Sequence, residues 1–368
     1  MEKIAVDRSG TVEGLARLLN AYNQVEGLLI LACADNGFVP EDVNPLLQAL
    51  KIPVFGGIFP SIIYGAESLG RGTIVAGFSE RPRVQILSNM SQEKDRGYSF
   101  DVDLVNDDTK TLFVLVDGLV MDVTDLLDAI FDSFGSELKY LGGGAGSVAT
   151  MEPSPCLFTN SGLLQNGAVL VALDTPSRVG ASHGLRSVSG PHVITKAEGN
   201  IVYSLDQNPI YPFFQEQIAR LLMPGEDDRF PLISRHFSLG LSRLGEEKVI
   251  REPAKIIDRQ ALAFGTKMVE GELLDIMRAS HDDVLAALLE TIESINIDLK
   301  PNDGLFILFD CICRKWFFAD RYDEILGILH KMGLPMIGAQ TIGGEISCNG
   351  DGYLEYLNRT CVIGCLER

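Results

Sequence analysis

Two residues in this chain have the types that suit recognition of a small charged molecule. Arg314 ends the apolar run GLFILFDCICR (Gly304–Arg314), and Glu345 lies in the glycine-rich stretch GAQTIGGEISCNGDG (Gly338–Gly352). A guanidinium can hold a carboxylate through two parallel hydrogen bonds. A glutamate among glycines can accept from an ammonium where backbone lets a ligand approach closely. With Gly142, Gly143, Gly144 and Ser147 of KYLGGGAGS (Lys139–Ser147), the pair would make a pocket for an anion or a zwitterion. The alternative is that Arg314 and Glu345 pair with each other and hold the fold.

Other patterns point to chemistry less well. Gly144 to Ala149 fits G-x-G-x-x-A, but Pro153 and Pro155 follow and leave no helix N-terminus for a pyrophosphate. Gly180-Ala-Ser182-His183-Gly184 fits the nucleophile elbow G-x-S-x-G, which needs a helix after the serine. The sequence after it, LRSVSGPHVITK, reads as extended, so no hydrolase is expected; with no convincing acid–base or nucleophile constellation the chain is not expected to be an enzyme, an enzyme of unrecognised type being the alternative. Nine aspartates lie between Asp101 and Asp132 with Lys110 as the one basic residue. Val105 and Asn106 stand where a calcium loop wants an acid and a glycine, so this reads as a solvated acidic face. Cys311 and Cys313 are expected to share a face of one strand, as are Cys361 and Cys365 of the last strand. The seven cysteines contain no C-x-x-C pair, so no metal site is expected and buried thiols are. Cys313, next to Arg314, is the thiol that a cation would activate.

The elements that must position these residues repeat three times. The first unit runs GLLILACADNG (Gly27–Gly37), a helix over Pro40–Lys51, PVFGGIFPS (Pro53–Ser61) and GTIVAGF (Gly72–Phe78). The second runs TLFVLVDGL (Thr111–Leu119), a helix over Asp122–Leu138 capped by Asp122, KYLGGGAGS, and GAVLVAL (Gly167–Leu173). The third runs GLFILFDCICR, a helix over Ala319–Gly333, the Glu345 stretch, and RTCVIGCL (Arg359–Leu366). Strand, crossover helix, strand entering a glycine loop and returning strand is a parallel pair with an added antiparallel strand. The segments Gly56-Gly57, Gly142–Gly146 and Gly343-Gly344 are expected at equivalent places, at the carboxyl ends of strands where open α/β sheets bind ligands. Between 180 and 300 the pattern changes. A hairpin is expected over Val193–Asp206, strands over Phe230–Ser242 and Ala261–Gly265, and an amphipathic helix over His281–Ile295. The fold class is α/β, with two related halves, 1–175 and 176–368, and sheets covered by helices.

Composition bounds the function. The chain has 368 residues, 31 basic and 50 acidic, for a net charge of −19. Phosphate binding needs clustered Lys and Arg, so neither nucleic acid nor an anionic membrane is an expected partner. No apolar run reaches the ~20 residues of a spanning helix, the N-terminus has no signal-peptide core, and the cysteine usage fits a reducing cytoplasm.

YLGGGAGS followed by LLQNGAVLVAL, then SGPHVITKAEGNIVYSLDQNPI, LFDCICR and IGGEISCNGDGYLEYLNRT, resemble the FIST family over essentially the whole chain. That resemblance implies a stand-alone sensory module with N- and C-terminal halves. It implies a small ligand, amino-acid-like, and a signalling partner such as a histidine kinase. Some members resemble haem-binding nitric-oxide sensors. On that alternative the axial ligand would come from His183, His192 or His236, which lie in the β-rich middle segment.

Overall fold

The computed structural model describes residues 3–22, 24–90, 97–120, 123–149, 152–222, 235–243, 247–295, 304–331, 333, 335–348 and 352–367. The first strands of the three units, Gly27–Cys33, Thr111–Asp117 and Gly304–Cys311, are buried along their whole lengths. Their side chains alternate between two apolar surroundings. Phe113 and Leu115 face a core shared with Leu305, Ile307 and Phe309, while Leu112, Val114 and Val116 pack outward with Val123, Leu126 and Ile130. Strands covered on both faces need no polar alternation, which is why these runs are continuously apolar.

Each first strand pairs parallel with the strand after the crossover: Val54–Phe59, Lys139–Ala145 and Met336–Thr341. Each pairs antiparallel, on its other side, with the returning strand: Thr73–Phe78, Gly167–Leu173 and Cys361–Glu367. A fourth strand adds beyond each returning strand: Lys3–Asp7, Arg83–Ser88 and Ser177–Ser182. The crossover helices are Pro40–Gln48 in the first unit and Val123–Phe134 in the second. Asp122, expected as the cap of the second, lies outside the described residues.

Two further strands complete each sheet, and they come from a different unit. The hairpin Ser61–Tyr64 and Glu67–Leu69 leaves the first unit and pairs with Met336–Thr341 of the third. The hairpin Leu157–Thr159 and Gly162–Leu164 leaves the second and pairs with Val54–Phe59 of the first. The hairpin Glu345–Cys348 and Leu354–Leu357 leaves the third and pairs with Lys139–Ala145 of the second. Three six-stranded sheets of one strand order result, each completed by the next in a closed ring. A fourth sheet is inserted between Ser182 and Gly304. It contains Arg186–Glu198 and Ile201–Leu205, the expected hairpin, with Ala261–Phe264, Phe237–Leu241 and Leu273–Arg278. The expected helix is found at His281–Ile295. Of the strand expected over Phe230–Ser242, Phe237–Leu241 is found, and residues 230–234 lie outside the described residues.

The glycines fall differently from expectation. Gly142, Gly143 and Gly144 belong to the strand Lys139–Ala145 and not to a loop. Register makes Gly56, Gly142 and Gly338 equivalent, each opposite the middle of a first strand. A Cβ at Gly142 would lie 1.9 Å from the Val114 carbonyl oxygen. Gly343 and Gly344 come later, in the turn into the third hairpin, so they are not the counterparts of Gly56-Gly57.

Gly142→Ala should therefore cost about 3 kcal/mol or more, the upper end of ordinary overpacking. Gly265→Ala should change stability by less than about 1 kcal/mol, since nothing lies within 4 Å of its Cβ position and its φ is not positive. Urea unfolding of both variants measures this, and equal midpoints would contradict the close approach.

Candidate functional site

The run GLFILFDCICR does not stay extended. The strand ends at Cys311 and a two-turn helix, Ile312–Phe318, begins. Asp310 and Arg314 are four apart, the spacing at which a turn of helix brings such a pair together. Arg314 Nε donates to Asp310 Oδ1 at 2.6 Å, and both side chains are buried. Cys311 and Cys313 are thus not neighbours on one strand face: Cys311 ends the strand and Cys313 is helical. Cys361 and Cys365 do lie on the last strand, both buried. The helix breaks at Ala319, which has a φ of 48°, and resumes as Tyr322–His330 after one turn of 3-10 helix.

Around Asp310 the polar groups are satisfied by one another. Tyr322 donates its hydroxyl to Asp310 Oδ2 at 2.5 Å and accepts from Gln340 Nε2 at 2.8 Å. Gln340 Oε1 accepts from Ser61 at 2.5 Å, and Lys315 Nζ donates to Ser61 at 3.0 Å and to Ser68 at 2.8 Å. Ser61 and Ser68 belong to the hairpin sent from the first unit, so this network fastens one unit to another. Burial opposes the charge on Arg314, but Asp310 outweighs it and holds the guanidinium above its ordinary pKa.

Arg314 also lines a small cavity of about 10 Å³, room for about one water, with His183, Leu185, Ala279, Val284, Cys313, Phe317 and Arg359. Arg359 is likewise buried, in a two-bond pair with Glu252 at 2.6 and 3.0 Å. Arg314 and Arg359 thus line one cavity, each held by its own carboxylate, and neither Asp310 nor Glu252 lines it. Sequence reasoning passed over Arg359, Lys315 and Tyr322. The i, i+4 spacing of Asp310 and Arg314 was the one local signal for any part of this cluster.

Glu345 is not part of that cavity and does not pair with Arg314. It opens the hairpin strand Glu345–Cys348, opposite Gly143, and is fully buried. Thr341 donates its hydroxyl to one carboxyl oxygen and Thr360 N donates to the other at 3.3 Å. Burial above all, then Cys311, pushes the Glu345 pKa well above the usual carboxylate range. Gly142 and Gly144 face backbone where a ligand would have to sit: a Cβ on Gly144 would meet the Ile342 carbonyl oxygen at 2.0 Å. Ser147 follows the strand, partly buried, its hydroxyl accepting from Ala149 N at 3.2 Å. Of the residues expected to form one pocket, Glu345 and Gly143 are neighbours across two strands, while Arg314 lies at the small cavity instead.

The histidines do not fit haem. His183 accepts at Nδ1 from Leu185 N at 2.8 Å and has Nε2 3.0 Å from the Lys248 carbonyl oxygen. His192 is engaged at both nitrogens, by Asp206 at 2.8 Å and Ser189 at 3.0 Å. His236 lies edge-on to Phe317, ring centroids 5.7 Å apart, next to the small cavity. A cavity of about 10 Å³ is far smaller than the roughly 300–1,000 Å³ of ordinary ligand pockets. Among the described residues no group of three His, Cys, Asp or Glu is placed to hold a metal ion. Ser182 is buried, and a strand, Arg186–Glu198, follows it in place of the elbow's helix. Asp117 departs from the solvated acidic face: it is buried, accepting from Leu119 N and Asn166 N, and burial raises its pKa.

Two buried groups set opposing pH dependences. Burial, with Arg314 adding to it, lowers the His183 pKa from 6.5 to about 4, against the Lys248 carbonyl. The unfolded chain takes up that proton and the folded one refuses it, so stability falls as pH drops from 6.5 towards 4, by at most ~3 kcal/mol. Glu345 works the other way. Above its ordinary value the unfolded chain releases a proton that the folded one keeps, so stability falls as pH rises, by ~1.4 kcal/mol per unit. Glu345→Gln should flatten the decline on the alkaline side, measured by urea unfolding across pH. An unchanged slope would mean that Glu345 is ionised in the fold.

Two family models match the chain, the FIST N domain over residues 27–208 and the FIST C domain over residues 215–348. No protein of the curated set matches it. Both modules are present in order and together span most of the sequence, so the chain belongs to the FIST family, whose domains are associated with sensory signal transduction.

Proposed function

We propose that this protein is a non-enzymatic cytoplasmic sensory module that binds a small anionic or zwitterionic ligand, amino-acid-like, at the cavity faced by Arg314 and Arg359. It signals to a separate protein such as a histidine kinase. The observation that carries the reading is that two buried arginines, each paired to a carboxylate, line one small cavity, which must widen to admit a ligand. A carboxylate entering there meets positive charge in a low-dielectric surrounding, where a charge-assisted hydrogen bond is strong. Leu185, Ala279, Val284 and Phe317 supply apolar walls for the rest of a ligand of few atoms. The division into halves at 175/176 is supported by the chain's passage there from the second sheet, which it leaves at Leu173, to the third, which it enters at Ser177. A cytoplasmic place is supported by seven free cysteines and the acidic charge. Among the described residues no helix is long and apolar enough to cross a membrane.

A panel of amino acids and short carboxylates tests the reading by thermal shift. A ligand at 100 times its dissociation constant should stabilise the fold by ~2.7 kcal/mol. Ala279→Val, which narrows the cavity, should abolish the shift, and urea unfolding of the unliganded variant measures any overpacking cost separately. Trp316, the single tryptophan and half exposed on the helix that carries Arg314, should report binding by fluorescence. A filled variant that keeps the full shift, or a panel without any binder, would reject the site.

A further inference from the structure

Ser189 and His192 both belong to the strand Arg186–Glu198. In a regular strand their separation would send the two side chains to opposite faces. Here Ser189 pairs with Ile276 and His192 with Leu274, so Gly190 and Pro191 together stand opposite Asp275 alone. That extra residue makes a β-bulge, and it turns His192 back to the face of Ser189. Gly190 permits the bulge: its φ is 134°, and a Cβ there would meet Asp275 Oδ1 at 2.9 Å. His192 Nε2 thus lies 3.0 Å from Ser189 Oγ.

The third member comes from the next turn. Asp206 and Gln207 have positive φ, 49° and 66°, and join Ile201–Leu205 to Asn208–Pro209 as a tight hairpin. Asp206 is clamped to Val193 twice: its N donates to the Val193 carbonyl at 2.9 Å, and Val193 N donates to its Oδ1 at 2.9 Å. Its Oδ2 is left to accept from His192 Nδ1 at 2.8 Å. Val193 N first, then His192, hold the Asp206 carboxyl below its ordinary pKa. A carboxylate only accepts, so Nδ1 carries the imidazole proton and Nε2 accepts from the serine hydroxyl. Ser189 and His192 are both partly exposed. A carboxylate that orients an imidazole, whose far nitrogen meets a reachable hydroxyl, is the order of groups that activates a serine.

We propose that Ser189 is an acyl-acceptor site, with His192 as its general base and Asp206 as a positioning residue, and that it takes a small acyl group from an activated ester or thioester. Ser189 Oγ attacks the acyl carbonyl carbon as its proton passes to His192 Nε2. The tetrahedral intermediate collapses, the bond to the leaving oxygen or sulfur breaks, and that atom takes the proton from Nε2. The products are acyl-Ser189 and an alcohol or thiol, with His192 neutral again. The site goes beyond the sensory reading by adding a covalent input. It is independent of the Arg314 cavity, so a ligand panel without any binder leaves it standing.

The experiment mixes the folded protein with p-nitrophenyl acetate, follows nitrophenolate release, and fragments the tryptic peptide Ser187–Lys196 in a mass spectrometer. The expected product carries an acetyl group on Ser189. Ser189→Ala should lose it, and His192→Gln should slow its formation by ~100-fold or more, while urea midpoints check that both variants fold. Asp206→Asn should slow it too. Nitrogen NMR should show His192 protonated at Nδ1 in the wild type and released from that tautomer in Asp206→Asn, a change that lost packing alone would not give. Acetyl groups on lysines or Ser187 only, or a rate at Ser189 that His192→Gln leaves unchanged, would overturn the proposal.

Discussion

The hydrogen bonding of each six-stranded sheet is finished by a hairpin that the chain sends out from another unit. A strand–helix–strand unit with one returning strand would leave the second parallel strand as an open edge, a template for unwanted pairing. Here the edges at Val54–Phe59, Lys139–Ala145 and Met336–Thr341 are all covered by exchanged hairpins. The exchange is cyclic, so removing one hairpin opens one sheet and strands a pair of strands from another. That dependence holds the two family modules together more firmly than packing of separate halves would. It also makes the key contacts very non-local: Ser61 and Gln340 are 279 residues apart in sequence. Such closure is slow and is rewarded late in folding.

Near-threefold repetition makes the differences between the units informative. Register sets Cys33, Asp117 and Cys311 at one equivalent position, the last residue of each first strand. In the first unit the Cys33 thiol donates to the Leu69 carbonyl, and in the second Asp117 accepts two backbone amides. Both are local closures that need nothing further. In the third, the chain turns directly into a helix bearing Arg314 and Lys315. A carboxylate, a phenol, an amide and two hydroxyls from another unit are arrayed around them. Packing alone does not ask for that. Buried ion pairs add little to stability over apolar replacements of similar shape, so their concentration in one of three equivalent places marks it as specialised.

The sequence showed the units and hid the exchange. Continuous apolar strands, the helix stripe of Val123, Leu126, Leu127 and Ile130, and the returning strands all have local signatures, and the structure contains them. Hairpin exchange has none, because short strands such as Leu157–Thr159 do not record which edge they join. Gly142–Gly144 misled for a related reason. A run of glycines reads as a loop, yet here the missing side chains let neighbouring strands and the Ile342 carbonyl close in. Glu345 drew attention as a charged residue among glycines, and it is buried among hydrogen bonds from Thr341 and Thr360, with its pKa pushed up. Arg314 was legible by type, but its partner was misjudged: Asp310, one helical turn earlier, takes the place given to Glu345.

The short helix Ile312–Phe318 is where these features can act on one another. Cys313, Arg314 and Phe317 turn from it to the cavity, while Lys315 reaches Ser61 and Ser68 of the exchanged hairpin. His183 and Leu185 of the FIST N match meet Arg314 and Phe317 of the FIST C match across the same cavity. A ligand shifts such a system only by binding two arrangements unequally. Two turns of helix, with a break at Ala319 behind them, are short enough to tilt without unfolding a sheet. Any tilt strains the Lys315 hold on the hairpin from the first unit. The element that would meet the proposed ligand is therefore also the one that joins the units, so binding there would be felt in two units at once.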